Sequence, residues 1–127
     1  MNFSEHKAIY LQIFDLICDE IQTGKYKAGE RIPSIRNYSE MLEVNHNTTL
    51  RAFDLLQRNN LIFNKRGMGF YVSAQAMNFL KEKRKQEFIN NFLPKLFEKM
   101  ESLDFTIKDI EELYKQRKLN PTNMHPL

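Results

Sequence analysis

Two short apolar stripes of identical spacing, separated by a brief gap, constrain this chain more than any other feature. The first is Ile35, Tyr38, Ser39 and Leu42; the second is Thr49, Ala52, Phe53 and Leu56. Each set recurs at three, one and three residues, which places its members along one side of an α-helix. Ser34 precedes the first stripe and Asn45 the second. Both carry a side-chain oxygen that can accept from the N–H groups left open in a helix's first turn. Only Glu43 and Val44 separate the first helix from the second cap. So short a turn forces the helices to cross steeply, with Val44 plugging it and the small Ser39 at the close approach. The pattern predicts a helix-turn-helix.

The flanks extend this reading. Upstream, Ile9, Ile13, Leu16, Ile17 and Ile21 share one helical face, predicting a helix from about Glu5 to Gln22 that stops at Gly24. Lys25 to Pro33 reads as a loop with room for one short strand at Glu30-Arg31-Ile32. Downstream, Leu61-Ile62-Phe63-Asn64 and Phe70-Tyr71-Val72 are β-prone runs around a basic, glycine-bearing tip, Lys65-Arg66-Gly67-Met68-Gly69. That is a hairpin signature. Helix, helix-turn-helix and hairpin in this order predict a winged helix over residues 1–73.

From Ala74 the pattern changes. Phe88, Ile89, Phe92, Leu93, Leu96, Phe97, Met100 and Leu103 form a long apolar seam at helical spacing, with Pro94 inside it to kink the helix. A last helix is expected near Thr106, with Thr106 and Asp109 as a capping box and Phe105 and Ile110 as a hydrophobic staple. Its apolar face is Ile107, Ile110, Leu113 and Tyr114, and a frayed end is expected after residue 119. The fold class is therefore α+β, mostly α: an N-terminal winged helix-turn-helix and a two-helix tail over 74–127. So large an apolar seam invites a partner. We expect Phe88, Phe92, Leu96, Phe97, Met100, Leu103, Ile110 and Leu113 to build a homodimer; the alternative is that the seam folds back on its own head.

Composition narrows the function classes. The net charge of +3 is compatible with nucleic acid without being diagnostic, and it is spread over both halves of the 127 residues. No apolar run approaches the roughly 20 residues of a membrane span, and the N-terminus lacks a secretory layout, so a cytoplasmic protein without a membrane partner is expected. Cys18, the one cysteine, sits beside the first helix's apolar stripe and has no disulfide mate. His6, His46 and His125 are scattered, so neither a structural metal nor a cofactor is expected. No zinc-protease motif, phosphate-cradling loop or nucleophile elbow is present, and no helix opens after Gly67-x-Gly69; an enzyme is not expected.

Five ordered fragments carry a resemblance. They are Ile9-Tyr10-x-Gln12-Ile13, Gly24, Gly29-x-Arg31-Ile32-Pro33-Ser34-x-Arg36, Val44-Asn45-x-Asn47-Thr48-x-x-Arg51-Ala52-Phe53, and Arg66-Gly67-x-Gly69-x-x-Val72. In this order they resemble the DNA-binding domain of the GntR family of bacterial transcription regulators, and the short helical tail is similar to that of its YtrA subgroup. Departures lie at His46, Thr49 and Leu50, where many relatives carry other residues. The resemblance implies a homodimer on double-stranded DNA at a near-palindromic operator, commonly a repressor of a transporter operon. An unidentified small-molecule effector is compatible with it, but no residues mark a site for one.

In this geometry the second helix of the pair presents its N-terminal residues to base edges. His46, Asn47 and Arg51 lie away from the Phe53 stripe. Arg51 can bridge guanine O6 and N7, and Asn47 can pair with adenine, while a phosphate contact for Arg51 stays open. The resemblance adds Arg36 as a DNA contact. Ser34 and Thr48 can donate to phosphate, against capping or local helix bonding. At the wing, Lys65 and Arg66 supply charge, while Gly67 and Gly69 permit tight turns and close approach. Tyr10 and Arg31 stand as weaker candidates, Tyr10 reading as packing between the first helix and the hairpin. The basic run Lys81-Glu82-Lys83-Arg84-Lys85 reads as a solvated helix face, or else as a DNA-backbone or membrane contact. A winged helix serving protein contacts alone is the rival to DNA binding.

Overall fold

A computed structural model of the chain describes residues 3–119, so the end expected to fray after 119, with His125, lies outside the described residues. In chain order the elements are α1 (Ile9–Gln22), α2 (Ile35–Leu42), α3 (His46–Arg58), β1 (Ile62–Lys65), β2 (Gly69–Val72), α4 (Ala76–Glu87), a π-helical turn (Phe88–Phe92), α5 (Leu93–Ser102) and α6 (Ile107–Leu119). The described residues divide into two compact units, with the boundary after Arg84.

The first unit is the expected winged helix. Ile13, Ile17 and Ile21 of α1 are buried against Tyr38 of α2, Ala52, Phe53 and Leu56 of α3, and Ile62 and Val72 of the hairpin. α1 begins at Ile9 rather than Glu5. The buried Gln12 accepts from the Ser4 N–H (2.8 Å) and donates to the Ser4 and Lys7 carbonyls (2.9 and 2.7 Å), holding the preceding residues in a non-helical arm. The strands pair antiparallel, with Ile62 opposite Val72 and Lys65 opposite Gly69. The strand expected at 30–32 is a single bridge, Arg31 to Tyr71. The Ile32 N–H donates to the Phe70 carbonyl (3.0 Å) and the Val72 N–H to that of Glu30 (2.9 Å), so this segment covers the outer edge of β2.

The helix-turn-helix closes on local chemistry. The Ser34 Oγ accepts from the Asn37 N–H (3.0 Å) and the Asn45 Oδ1 from the Asn47 N–H (2.8 Å), so both expected caps form. Between them Glu43 takes a left-handed conformation (φ 54°, ψ 48°) as the C-cap of α2. The Ser39 hydroxyl lies 2.9 Å from that of Thr49 and 2.7 Å from the Ile35 carbonyl, which satisfies the polar atoms at the helix crossing. Tyr38 is buried and donates from its hydroxyl to the Glu20 carboxylate (2.7 Å); burial first, and this bond second, push its phenol well above the usual range. Burial likewise pushes the Cys18 thiol up to about 12, so this cysteine behaves as a core residue.

Two expectations change downstream. The unit boundary falls after Arg84, not after Ser73. Ala76 and Leu80 are buried in the winged-helix core, and Arg84 pairs with Asp19 on α1, so most of α4 belongs to the head. Lys83 also lies over the Phe14 ring of α1 (5.1 Å), which removes two members of the basic run from a purely solvated role. The interruption expected at Pro94 takes the form of a π turn just before it, with the helical backbone running on through the proline. The Leu93 N–H bonds to the Phe88 carbonyl five residues back, and the π turn sets Pro94 in the first turn of α5.

In the second unit, the Thr106–Asp109 capping box forms in both directions: the Asp109 N–H donates to Thr106 Oγ1 (3.2 Å) and the Thr106 N–H to Asp109 Oδ2 (2.9 Å). Met100 is buried, so it belongs to the interior of the tail rather than to its seam, correcting the sequence reading. Leu96 and Ile110 are half-buried, whereas Phe88, Phe92, Phe97, Leu103 and Leu113 are exposed, with Phe88 and Phe92 stacked at 5.2 Å.

Phe53 is fully buried and meets Tyr38 and Phe70 edge to face, at 5.8 and 4.9 Å between ring centres. Phe53→Ala is expected to cost about 3–5 kcal/mol. In a domain this small that removes most of the stability. Urea titration followed by circular dichroism should show the transition of the winged unit shifted to much lower denaturant.

Candidate nucleic-acid interface

Helix α3 is two-faced. Thr49, Ala52, Phe53 and Leu56 are buried; His46, Asn47, Leu50, Arg51, Asp54 and Arg58 are exposed. At about 100° per residue the exposed set fills one continuous arc, and its N-terminal half carries the predicted readers His46, Asn47 and Arg51 side by side. Thr48 is half-buried at the edge of this arc, with its backbone N–H bonded to the Asn45 carbonyl (3.0 Å).

Arg51 is not a free side chain. Its guanidinium lies 4.0 Å from the centre of the Tyr10 ring, on the first turn of α1. Ala8, Ile9, Tyr10, Asn47, Thr48 and Arg51 line one shallow depression between α1 and α3. Tyr10 therefore packs against α3, not between the first helix and the hairpin as its sequence position suggested. It holds the cation on the α1 side of the exposed arc. The attraction of a cation for an aromatic face supplies the force, and the ring restricts the long side chain.

On α2, the Ser34 side chain is engaged in capping, and Arg36 projects into solvent with an exposed partner, Glu40, at 3.1 Å. A surface pair of this kind is worth well under 1 kcal/mol in typical cases, so it yields readily to a phosphate.

The wing brings Lys65, Arg66, Gly67 and Gly69 together at the hairpin tip. Gly67 (φ 75°) stands third in the turn that the Met68 N–H closes on the Lys65 carbonyl (2.8 Å). Lys65 lies over the Tyr71 ring (4.5 Å), which in turn stacks on Phe63. Gly69 serves a different neighbour from the one expected. A Cβ there would come 2.8 Å from Arg31 Nε, so the glycine makes room for the Arg31 guanidinium to lie across the strand. Arg31 thus joins Lys65 and Arg66 as a third cation of the wing. Its only sequence signal was its place in the Gly29-x-Arg31-Ile32-Pro33 fragment. Among the described residues, no three His, Cys, Asp or Glu side chains converge as metal ligands would, and no helix is long and apolar enough to cross a membrane.

Comparison with known proteins decides the family. The profile of the bacterial regulatory proteins of the gntR family matches residues 9–72, from the start of α1 to the end of β2. The chain belongs to the GntR family. Among curated relatives from Bacillus subtilis (strain 168), the transcriptional repressor YtrA is 31% identical over 120 residues, 88% of this chain and 91% of its own length. The regulator YhcF is 30% identical over 98 residues, 76% of this chain and 81% of its own. A crystal structure of a GntR-family regulator from Bacteroides thetaiotaomicron superposes with a TM-score of 0.77 at 38% identity, covering 90% of this chain and 100% of that one. The likeness to YtrA runs beyond the winged helix into the tail. This GntR chain is a DNA-binding transcription regulator with a winged helix-turn-helix.

In this GntR chain Tyr10→Ala should weaken binding to duplex DNA by about two- to fivefold, the size of an exposed cation–ring contact. Tyr10→Phe keeps the ring and should bind as the parent does. Fluorescence anisotropy on a labelled duplex, with both variants checked for an unchanged melting temperature, provides the test.

Proposed function

We propose that this chain is a homodimeric repressor that reads a near-palindromic operator in the cytoplasm. The observation that carries the proposal is the exposed arc of α3, where His46, Asn47 and Arg51 stand together at the helix start with the wing cations Lys65 and Arg66 beyond. His46 and Asn47 take base edges in the major groove, in keeping with how a recognition helix docks. Arg51, drawn toward α1 by Tyr10, takes a backbone phosphate at the groove's edge. Ser34, Arg36 and Thr48 contribute to the same strand contact, and Lys65, Arg66, Gly67 and Gly69 bring the wing to the neighbouring groove.

The second copy follows from the second unit. Phe88, Phe92, Phe97, Leu103 and Leu113 are all exposed in the single chain, and a twofold pairing of such a surface removes it from water. A twofold protein matches a twofold operator. The likeness to YtrA, itself named a repressor, favours repression over activation, and the proposal takes a transporter operon as the target, as the subgroup resemblance implies.

Selection from a random duplex pool at about 0.15 M salt should enrich a near-palindrome, since nonspecific phosphate binding is suppressed there. No enrichment by a folded dimer would defeat the reading. On the selected operator, Arg51→Ala should lose about 1–3 kcal/mol with little change in base preference and a salt slope lower by about 1. A blurred preference at one position would instead make Arg51 a base reader. Phe92→Asp places a charge on the exposed seam and should shift the protein from dimer to monomer in sedimentation velocity, with the far-UV spectrum kept.

A further inference from the structure

We infer that Leu50 reads the 5-methyl group of a thymine in each operator half-site. The inference rests on the DNA-facing role proposed for α3. Leu50 lies on the exposed side of that helix, one turn after His46 and next to Arg51. It is 38% exposed and stands outside the hydrophobic core, whose α3 members are Ala52, Phe53 and Leu56. By helical angle it falls between His46 and Asp54, inside the polar arc rather than at its border. Every other exposed residue of α3 carries a hydrogen-bonding group: His46, Asn47, Arg51, Asp54 and Arg58. Leu50 is the one that cannot donate or accept.

That chemistry selects its partner. In the major groove, guanine and adenine present acceptors and an amino group, and cytosine presents an amino group; thymine alone among the four bases adds a methyl. A leucine seated on a polar edge strips water from it and offers nothing in return, which is unfavourable. Seated on the thymine methyl, it buries apolar surface on both sides. The same position therefore attracts one base and repels three, which is what a specificity determinant does. The i,i+4 placement of Leu50 behind His46, parallel to Arg51 behind Asn47, sets two rows of side chains along the groove. One row ends in the phosphate-seeking cation stacked on Tyr10, the other in this apolar contact.

The test removes the methyl and nothing else. In the operator selected by the unaltered protein, each thymine is replaced singly by deoxyuridine, which keeps the pairing and the O4 acceptor. At one thymine per half-site, binding should weaken by about three- to fivefold, the value of one buried methyl group. Leu50→Ala should bind the parent operator more weakly and lose the sensitivity to deoxyuridine at that thymine alone. Leu50→Met, still apolar, should retain it. Residue 50 is solvent-facing, so all three proteins should melt alike. Tight operator binding with no deoxyuridine effect at any thymine overturns the inference and leaves the DNA-binding reading standing. So does undiminished deoxyuridine sensitivity in Leu50→Ala, or a selected half-site without thymine. Failure to select any sequence would overturn the DNA-reading role itself, and this inference with it.

Discussion

The ring of Phe53 is the contact on which the winged unit depends. It sits with no exposed surface between Tyr38 of α2 and Phe70 of β2, each meeting it edge to face. Its own helix carries the exposed arc of His46, Asn47 and Arg51 on the opposite side. One buried ring therefore fixes α3 against both the helix before it and the wing after it. Aromatic pairs of this geometry add about 0.5–1.5 kcal/mol each beyond the area they bury. The exposed residues of α3 are displayed in a fixed direction because the buried ones leave the helix no freedom to roll.

Around that contact, several buried polar groups pair with one another. The crossing of α2 and α3 carries two hydroxyls, Ser39 and Thr49, that satisfy one another. The turn between the helices passes through a left-handed residue that is not glycine, Glu43. Such a conformation costs about 1–2 kcal/mol for an L-residue and persists because the two caps and the packing of both helices hold it. Tyr38, bonded to Glu20, turns a buried polar atom into a tie between α2 and α1, and Gln12 does the same between α1 and the arm just before it.

The exposed cations are placed by the same economy. Arg51 gains direction from a tyrosine of α1, and Arg31 gains its path across the wing from the absence of a side chain at Gly69. Neither arrangement alters the number of charges available. Each limits where a long, flexible cation can go, which lowers the entropy such a side chain has left to lose on meeting a partner. A protein whose net charge is only +3 depends on such placement more than on its overall field.

Much of this was legible in the order of residues. The caps at Ser34 and Asn45, the stripes of α2 and α3, the hairpin and the Thr106 box all depend on neighbours within four residues or on strand alternation. Spacing alone therefore determined them, along with the exposed positions of His46, Asn47, Lys65 and Arg66. What tertiary structure decided involves partners far apart. Ala76 and Leu80 joined the head because its core had an apolar surface still open to α4, and no local signal distinguishes that use from a start to the tail. Pro94 announced an interruption, yet only the continuing helix could resolve it as a π turn, by bonding Leu93 back to Phe88. Tyr10 and Arg31 acquired their roles from Arg51 and Gly69, 41 and 38 residues away. Short-range hydrogen bonding and periodicity are written in the chain itself. The direction of an exposed side chain is set by whichever distant surface the fold brings beside it.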